Sequence, residues 1–195
     1  MPLHKSIHDI GNGIADYFAR PGGDGPYRVY VYRPKDEYRV RRDLQDLNTW
    51  LGAQGIVCCS ISLADLFWKA IEDSGWEDAL VSAELDAPSG DPSALLDVID
   101  SIGAILRQEP TLTDRVVAEL VGVPDRTAVF LYRAGALYPA LRTSSLLDEL
   151  QGLINFPVTL LYPGRLYGDY GLSFMDKLEP AFGYRAAIIE RKEGE

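Results

Sequence analysis

Histidine and cysteine are scarce in this chain: His4, His8, Cys58 and Cys59 are the full complement in 195 residues. The two histidines stand one helical turn apart with no third partner, so a histidine metal site is disfavoured and solvent-facing polar residues are expected. No histidine elsewhere can act as base to a serine or cysteine, and no GxSxG elbow is present. Cys58 and Cys59 are adjacent in IVCCSISL. Neighbours on a strand point to opposite faces, so a bond between them would distort the backbone, and two small apolar core residues are expected instead. Basic residues are outnumbered as well, 19 against 29 acidic, for a net charge of −10. That sign opposes tight binding to a phosphate backbone, which needs cations to displace counterions, so direct DNA binding is disfavoured. The longest apolar runs are strand-sized, far short of the roughly 20 residues of a membrane span. The opening residues, MPLHKSIHDIGNG, lack the apolar stretch of a signal peptide, and the cytoplasm is the expected compartment.

A phosphate loop is missing too. Such a loop needs glycines directly after a strand, opening a helix whose free amides meet the phosphate. PGGDGP (21–26) follows a helix and precedes a strand, Gly11-Asn12-Gly13 follows no strand, and neither carries Lys-Ser/Thr. No acid able to hold Mg²⁺ follows FLYR or TLLY. The chain is therefore expected neither to hydrolyse nor tightly to bind ATP, and no cofactor is expected. Asp65 falls at a helix start, where capping is its expected role. Glu72-Asp73 and Glu77-Asp78 read as solvated charge near a helix end, with nothing to mark an acid–base dyad.

What is present is an alternation of strand and helix signals. The spacing predicts a short amphipathic helix over 3–19, with Ile7, Ile10, Ile14 and Phe18 on one stripe. A strand follows over Tyr27–Arg33, then a helix from Asp36 to about Ala53 with Val40, Leu44, Leu47 and Leu51 on its buried face. Ile56–Ile61 reads as a strand, Leu63–Ser74 as a helix and 86–93 as a loop, with a helix start at Asp91-Pro92. A helical insertion of about 91–121 is followed by strands at Ala128–Tyr132, Val158–Tyr162 and Tyr184–Glu190, with a helix at Ser144–Leu150 between the first two. Together these predict one α/β domain over 1–195: three layers with a mostly parallel sheet of about five strands, P-loop/Rossmann-like without the phosphate loop. The last strand is expected to be antiparallel or at an edge, because the link before it lacks a crossover helix. Arg191–Glu195 reads as a disordered tail.

Two features suggest a recognition surface. Arg33, Lys35, Arg39, Arg41 and Arg42 concentrate positive charge in an acidic chain, either as a helix face partnered by Asp36, Glu37, Asp43 and Asp46 or as a patch for an acidic partner. Two apolar runs end in Tyr-Pro loops, at Tyr138-Pro139 and Tyr162-Pro163-Gly164, and each proline restricts the tyrosine before it to extended backbone. Arginines stand near both, at Arg142 and Arg165, and Arg185 follows Tyr184. Loops at strand ends are where α/β domains place binding groups. The candidate residues for partner binding or loop architecture are therefore Tyr138, Arg142, Tyr162, Arg165, Tyr184 and Arg185. Tyr138 and Arg142 lean toward docking, Tyr162 and Arg185 toward architecture.

The stretches LQDLNTWLGAQGIVCCSISLADLFWKAIE (44–72), AVFLYRAGALYPALRTSSLLDEL, PVTLLYPGRL, GLSFM and YRAAII resemble the BrxB family of the bacterial BREX (bacteriophage exclusion) defence systems. The resemblance runs from about residue 26 onward. It rests most on Gly135 with Leu137-Tyr138-Pro139 and Arg142, on Tyr162-Pro163-Gly164, on Leu172 with Phe174, and on Tyr184-Arg185-Ala186. Arg133-Ala134-Gly135 stands where the family reads closer to GVG. The resemblance implies a small, non-enzymatic adaptor within a larger anti-phage assembly. Implied partners are a PglZ-like protein with an alkaline-phosphatase-type domain, a large AAA-type ATPase and a site-specific DNA methyltransferase. Two other classes stay open: a degenerate nucleotide-binding regulatory module, and a hydrolase whose carboxylates meet only in the fold.

Overall fold

The computed structural model describes residues 4–20, 26–86 and 95–192. Strand β1 (Tyr27–Tyr32) is buried along its whole length. Its alternation sends Tyr27, Val29 and Val31 to one side of the sheet and Tyr30 and Tyr32 to the other, the period of two a pleated strand imposes. Around it lie β2 (Val57–Ser62), β3 (Thr127–Tyr132), β4 (Val158–Tyr167) and β6 (Ala187–Glu190), in the spatial order β2-β3-β4-β1-β6. All four pairings in this row are parallel. Strand β5 (Gly171–Phe174) sits off the row, antiparallel to the outer end of β4.

Helices cover both faces. Helix α1 (Lys5–Ala19) and helix α2 (Glu37–Gly52) bury Ile7, Ile10, Ile14, Val40, Leu44, Leu47 and Leu51 against Tyr30, Phe130 and Leu161. On the opposite face, α3 (Leu63–Ser74), α5 (Leu96–Arg107), α6 (Leu112–Ala118) and α7 (Thr143–Leu150) bury Phe67, Ile71, Leu106, Val116, Leu146 and Leu150 against Val29, Val31, Leu131 and Leu160. The result is the three-layer α/β domain expected. Cys58 and Cys59 lie on opposite faces of β2 as free, half-buried thiols, each packed against a different core.

Several elements differ from expectation for identifiable reasons. The last strand does lie at an edge, but it runs parallel to β1. The antiparallel strand is β5, which the sequence pattern left unread. Tyr162-Pro163-Gly164 is not a loop: β4 runs through it, pairing with β1 as far as Pro163 and with β5 from Gly164 onward. The Pro163 carbonyl accepts the Met175 amide at 2.8 Å, which continues the ladder across the proline. Helix α4 (Glu77–Asp86) went unrecognised because it buries no residue and so has no apolar stripe to betray it. Glu77 and Asp78 therefore fill its first turn, where negative charge complements the helix dipole. Arg191 is anchored, not loose: its amide donates to Val31 at 2.8 Å and its guanidinium pairs with Asp43 at 2.9 Å. Residues 193–195 and the helix start at Asp91-Pro92 lie outside the described residues.

Candidate functional site

Because its row is parallel, the sheet gathers the carboxyl ends of β1 to β4 along one edge. Strand β1 releases the chain to α2 on one face, whereas β2 and β3 release it toward α3 and α7 on the other. Loops leaving to opposite sides part around a crevice, the position at which open α/β sheets bind ligands. A cleft of about 350 Å³ lies here, lined by Pro34, Tyr38, Arg41, Arg133, Pro163 and Met175 among others.

The cleft has a strained rim. Arg133, Met175 and Asp176 have φ of 58°, 54° and 57°, and they are the non-glycine residues in the left-handed region among those described. Arg133 and Met175 line the cleft and Asp176 follows directly. Each such residue costs about 1–2 kcal/mol, so the surroundings must hold it. The Arg133 guanidinium donates to Asp65 Oδ1 at 2.7 Å and to Ser62 Oγ at 3.3 Å, tying the end of β3 to the start of α3. Ser62 Oγ also accepts the Asp65 amide at 3.3 Å, so the cap of α3 is Ser62 while the Asp65 carboxylate faces Arg133. Asp176 is gripped by Arg165 at 3.0 Å and Arg33 at 3.7 Å. The tight turn at Met175 and Asp176 is closed by the Lys177 amide on Phe174 at 3.0 Å. The acids near this edge do not converge: Asp65 is bound to Arg133, Asp176 to two arginines, and Glu37 accepts the Tyr32 hydroxyl. Among the described residues, no group of three or more His, Cys, Asp or Glu is arranged to hold a metal ion. His4 instead bonds Ser6 at 2.7 Å, and His8 bonds Asn12 at 3.1 Å.

The tyrosines proposed from sequence come together beneath this rim. Tyr162 lies 5.2 Å from Phe174 and 5.9 Å from Tyr184, ring centre to ring centre, and Tyr138 meets Phe174 at 6.1 Å. Tyr162 is 1% exposed, and burial, reinforced by Tyr184, holds its phenol well above the ordinary range. The Tyr184 hydroxyl is bonded to Thr143 Oγ1 at 3.1 Å, which fastens the segment before β6 to the start of α7. Tyr138 is half-buried with extended backbone (ψ 135°), as the following proline requires. Arg142 is exposed at the mouth of a cavity of only about 20 Å³ between these rings. Arg165 belongs to the other side, with Asp176. Arg185 joins neither group: its side chain is exposed and its carbonyl accepts Gln151 Nε2 at 3.2 Å. Of the basic cluster near α2, Arg39 pairs with Asp36 at 3.2 Å, Arg33 reaches Asp176, and Arg41 lies 5.9 Å from the Tyr38 ring centre.

A third feature was not read from sequence. The β4–β5 ribbon projects beyond the sheet and carries Tyr167, Tyr170 and, on the adjoining strand segment at Ala181, Phe182. These rings are 49%, 71% and 72% exposed. Phe182 lies over Gly171, where a Cβ would come within 2.8 Å of its ring. The signal available was the aromatic pair flanking Gly168-Asp169, which marks a hairpin only once β5 is known.

These features define a class: a three-layer α/β domain with a preformed, arginine-bordered cleft at the carboxyl edge and an exposed aromatic ribbon beside it. Within that class the chain belongs to the BrxB family, whose model, described as BREX protein BrxB, matches residues 59–189. It is thus a component of a BREX system, which serves antiviral defence and phage resistance. Comparisons with curated proteins and with solved structures gave no match. The family match opens inside β2, whereas the interior strand β1, which pairs with both β4 and β6, precedes it. No helix among the described residues is long and apolar enough to cross a membrane.

Proposed function

We propose that this chain is a non-catalytic adaptor of a BREX assembly and that it docks a PglZ-like, alkaline-phosphatase-type partner through the β4–β5 ribbon. The observation that carries the reading is the exposure of Tyr167 and Tyr170 on the β4–β5 ribbon and of Phe182 on the segment bridged to it at Ala181. Tyrosine and phenylalanine are enriched where protein surfaces meet, and a ribbon fixed by backbone pairing loses little freedom on docking. Arg142, exposed and beside Leu172 and Ala181 of the ribbon, supplies charge for a polar rim. The AAA-type ATPase and the DNA methyltransferase of the same system are further candidate partners, and the net charge of −10 argues against direct DNA contact.

Size-exclusion chromatography of the two purified proteins tests the reading. Co-elution is expected, and the double change Tyr170→Ala with Phe182→Ala should abolish it without lowering the melting temperature. Separate peaks at micromolar concentration, or co-elution indifferent to the double change, would reverse the assignment of partner or surface respectively.

A further inference from the structure

The cleft at the carboxyl edge lies at the base of the β4–β5 ribbon, where Pro163 and Met175 line it, and does not include the exposed rings Tyr167, Tyr170 and Phe182. Its volume of about 350 Å³ lies within the roughly 300–1,000 Å³ of small-molecule sites. It sits where the loops of β1 and β3 leave for opposite faces of the sheet, the crevice in which open α/β sheets hold ligands. Strained residues gather there and nowhere else among the described residues, which is the pattern of a site held in one shape in advance.

Charge gives the ligand its class. Arg33, Arg41, Arg133 and Arg165 stand in or beside the cleft against Glu37, Asp65 and Asp176, four cations to three anions in a chain of net −10. Arg41 has no carboxylate partner among the described residues; its guanidinium lies 5.9 Å from the ring centre of Tyr38. The Arg133–Asp65 pair is solvent-exposed, so Asp65 is exchangeable for a better anion while Ser62 Oγ still accepts from the Arg133 guanidinium. Arg41 and Arg133 approach from two different elements. Guanidinium groups arriving from two directions suit a tetrahedral phosphate, which offers acceptors on several sides, better than a planar carboxylate. Glu37 also lines the cleft, its carboxylate accepting the Tyr32 hydroxyl; the rest of the lining includes apolar Pro34, Pro163 and Met175, with the exposed Tyr38 ring as a surface for an organic group. The amino ends of α2 and α3 open onto the same space and add partial positive charge.

We infer that this cleft binds a small phosphate monoester, held by Arg41 and Arg133, with the organic part of the ligand against Tyr38 and the two prolines. Binding requires no chemistry on the ligand and no phosphate loop. The residues that hold the ligand, Arg41 and Arg133, are not the exposed rings of the docking surface, so either assignment can fail alone.

Titration calorimetry on the full chain tests it, with 5′-AMP, ribose 5-phosphate, adenosine and citrate as probes. The two phosphate esters are expected to bind saturably at sub-millimolar concentration, and adenosine and citrate are not. Arg41→Ala and Arg133→Gly should each weaken binding by about tenfold or more, the loss of one charge-assisted bond. Arg42→Ala, on the same helix but outside the cleft, should leave binding unchanged. Neither cleft variant should unfold the chain, since Arg41 is exposed and glycine suits the left-handed backbone at 133. Failure of both phosphate esters to bind, citrate binding as tightly as they do, or binding unaltered in both cleft variants would overturn the assignment.

Discussion

Gly164 lies directly against the backbone of Ser173, so closely that any Cβ at 164 would collide with the Ser173 carbonyl oxygen. The same Cβ would come within 2.7 Å of the Tyr162 ring. Gly164 marks the point where β4 leaves its parallel neighbours and takes up β5. The absent side chain is what permits the exchange of partners.

Gly164→Ala is therefore expected to destabilise the fold by at least about 1–3 kcal/mol, because backbone and a buried ring must both move. Gly52→Ala is the control. Gly52 ends α2 with open space around it and no positive φ, so alanine there should raise stability by up to about 1 kcal/mol. Urea denaturation of the two variants should give shifts of opposite sign; equal shifts would refute the close-approach account.

Tyr162 and Arg142 separate architecture from docking. Tyr162 is buried between Phe174 and Tyr184, so Tyr162→Ala should cost about 3–5 kcal/mol, as for other large aromatic truncations. Arg142 is exposed, and Arg142→Ala should leave stability within about 0.5 kcal/mol. If Arg142 belongs to the rim of the docking surface, the same variant weakens the complex with the PglZ-like partner. Tyr138, half-buried against Phe174, should show both a loss of stability and a loss of affinity on change to alanine.

Cys58 should be slow to react. Burial, with a smaller contribution from Cys59, pushes its thiol up to about 11. A folded pKa above the unfolded one means the stabilising preference for the neutral thiol is complete below the ordinary thiol range. That preference is lost as pH rises from there through about 11. Iodoacetamide labelling followed by mass spectrometry should find Cys58 far slower in the native chain than in urea at pH 8.5. Equal rates in the two states would contradict this burial.

Purified protein should show no magnesium-dependent ATP turnover, since no strand-to-helix loop combines glycines, a lysine and a metal-holding acid. Turnover that survives stringent purification and vanishes with a point change in the cleft would make the chain an enzyme.

Much of the architecture was legible in linear order. YRVYVY is a near-continuous run of β-formers because it is buried on both faces, and α2 repeats Val40, Leu44, Leu47 and Leu51 because one side packs on the sheet. What failed to register lacked such a period. Helix α4 has no fully buried residue and touches the core only through the half-buried Leu80, and β5 is four residues with a glycine at its start. The candidate residues were legible as a set of tyrosines and arginines near strand ends, but not as a site. Their sorting depends on residues 138, 162, 174 and 184 meeting in space.

By itself, then, the sequence determined the alternation of strands and helices, the parallel α/β class and the scarcity of metal- and base-forming side chains. These follow from local periodicity and residue chemistry, which act over a few residues at a time. Only the tertiary structure decided that β1 lies between β4 and β6, that β4 changes partners at Gly164, and that Arg33 and Arg165 close on Asp176. It also decided which tyrosines are walls and which rings face solvent. Those outcomes rest on contacts between residues far apart in the chain, whose energies depend on packing that no short window of sequence contains.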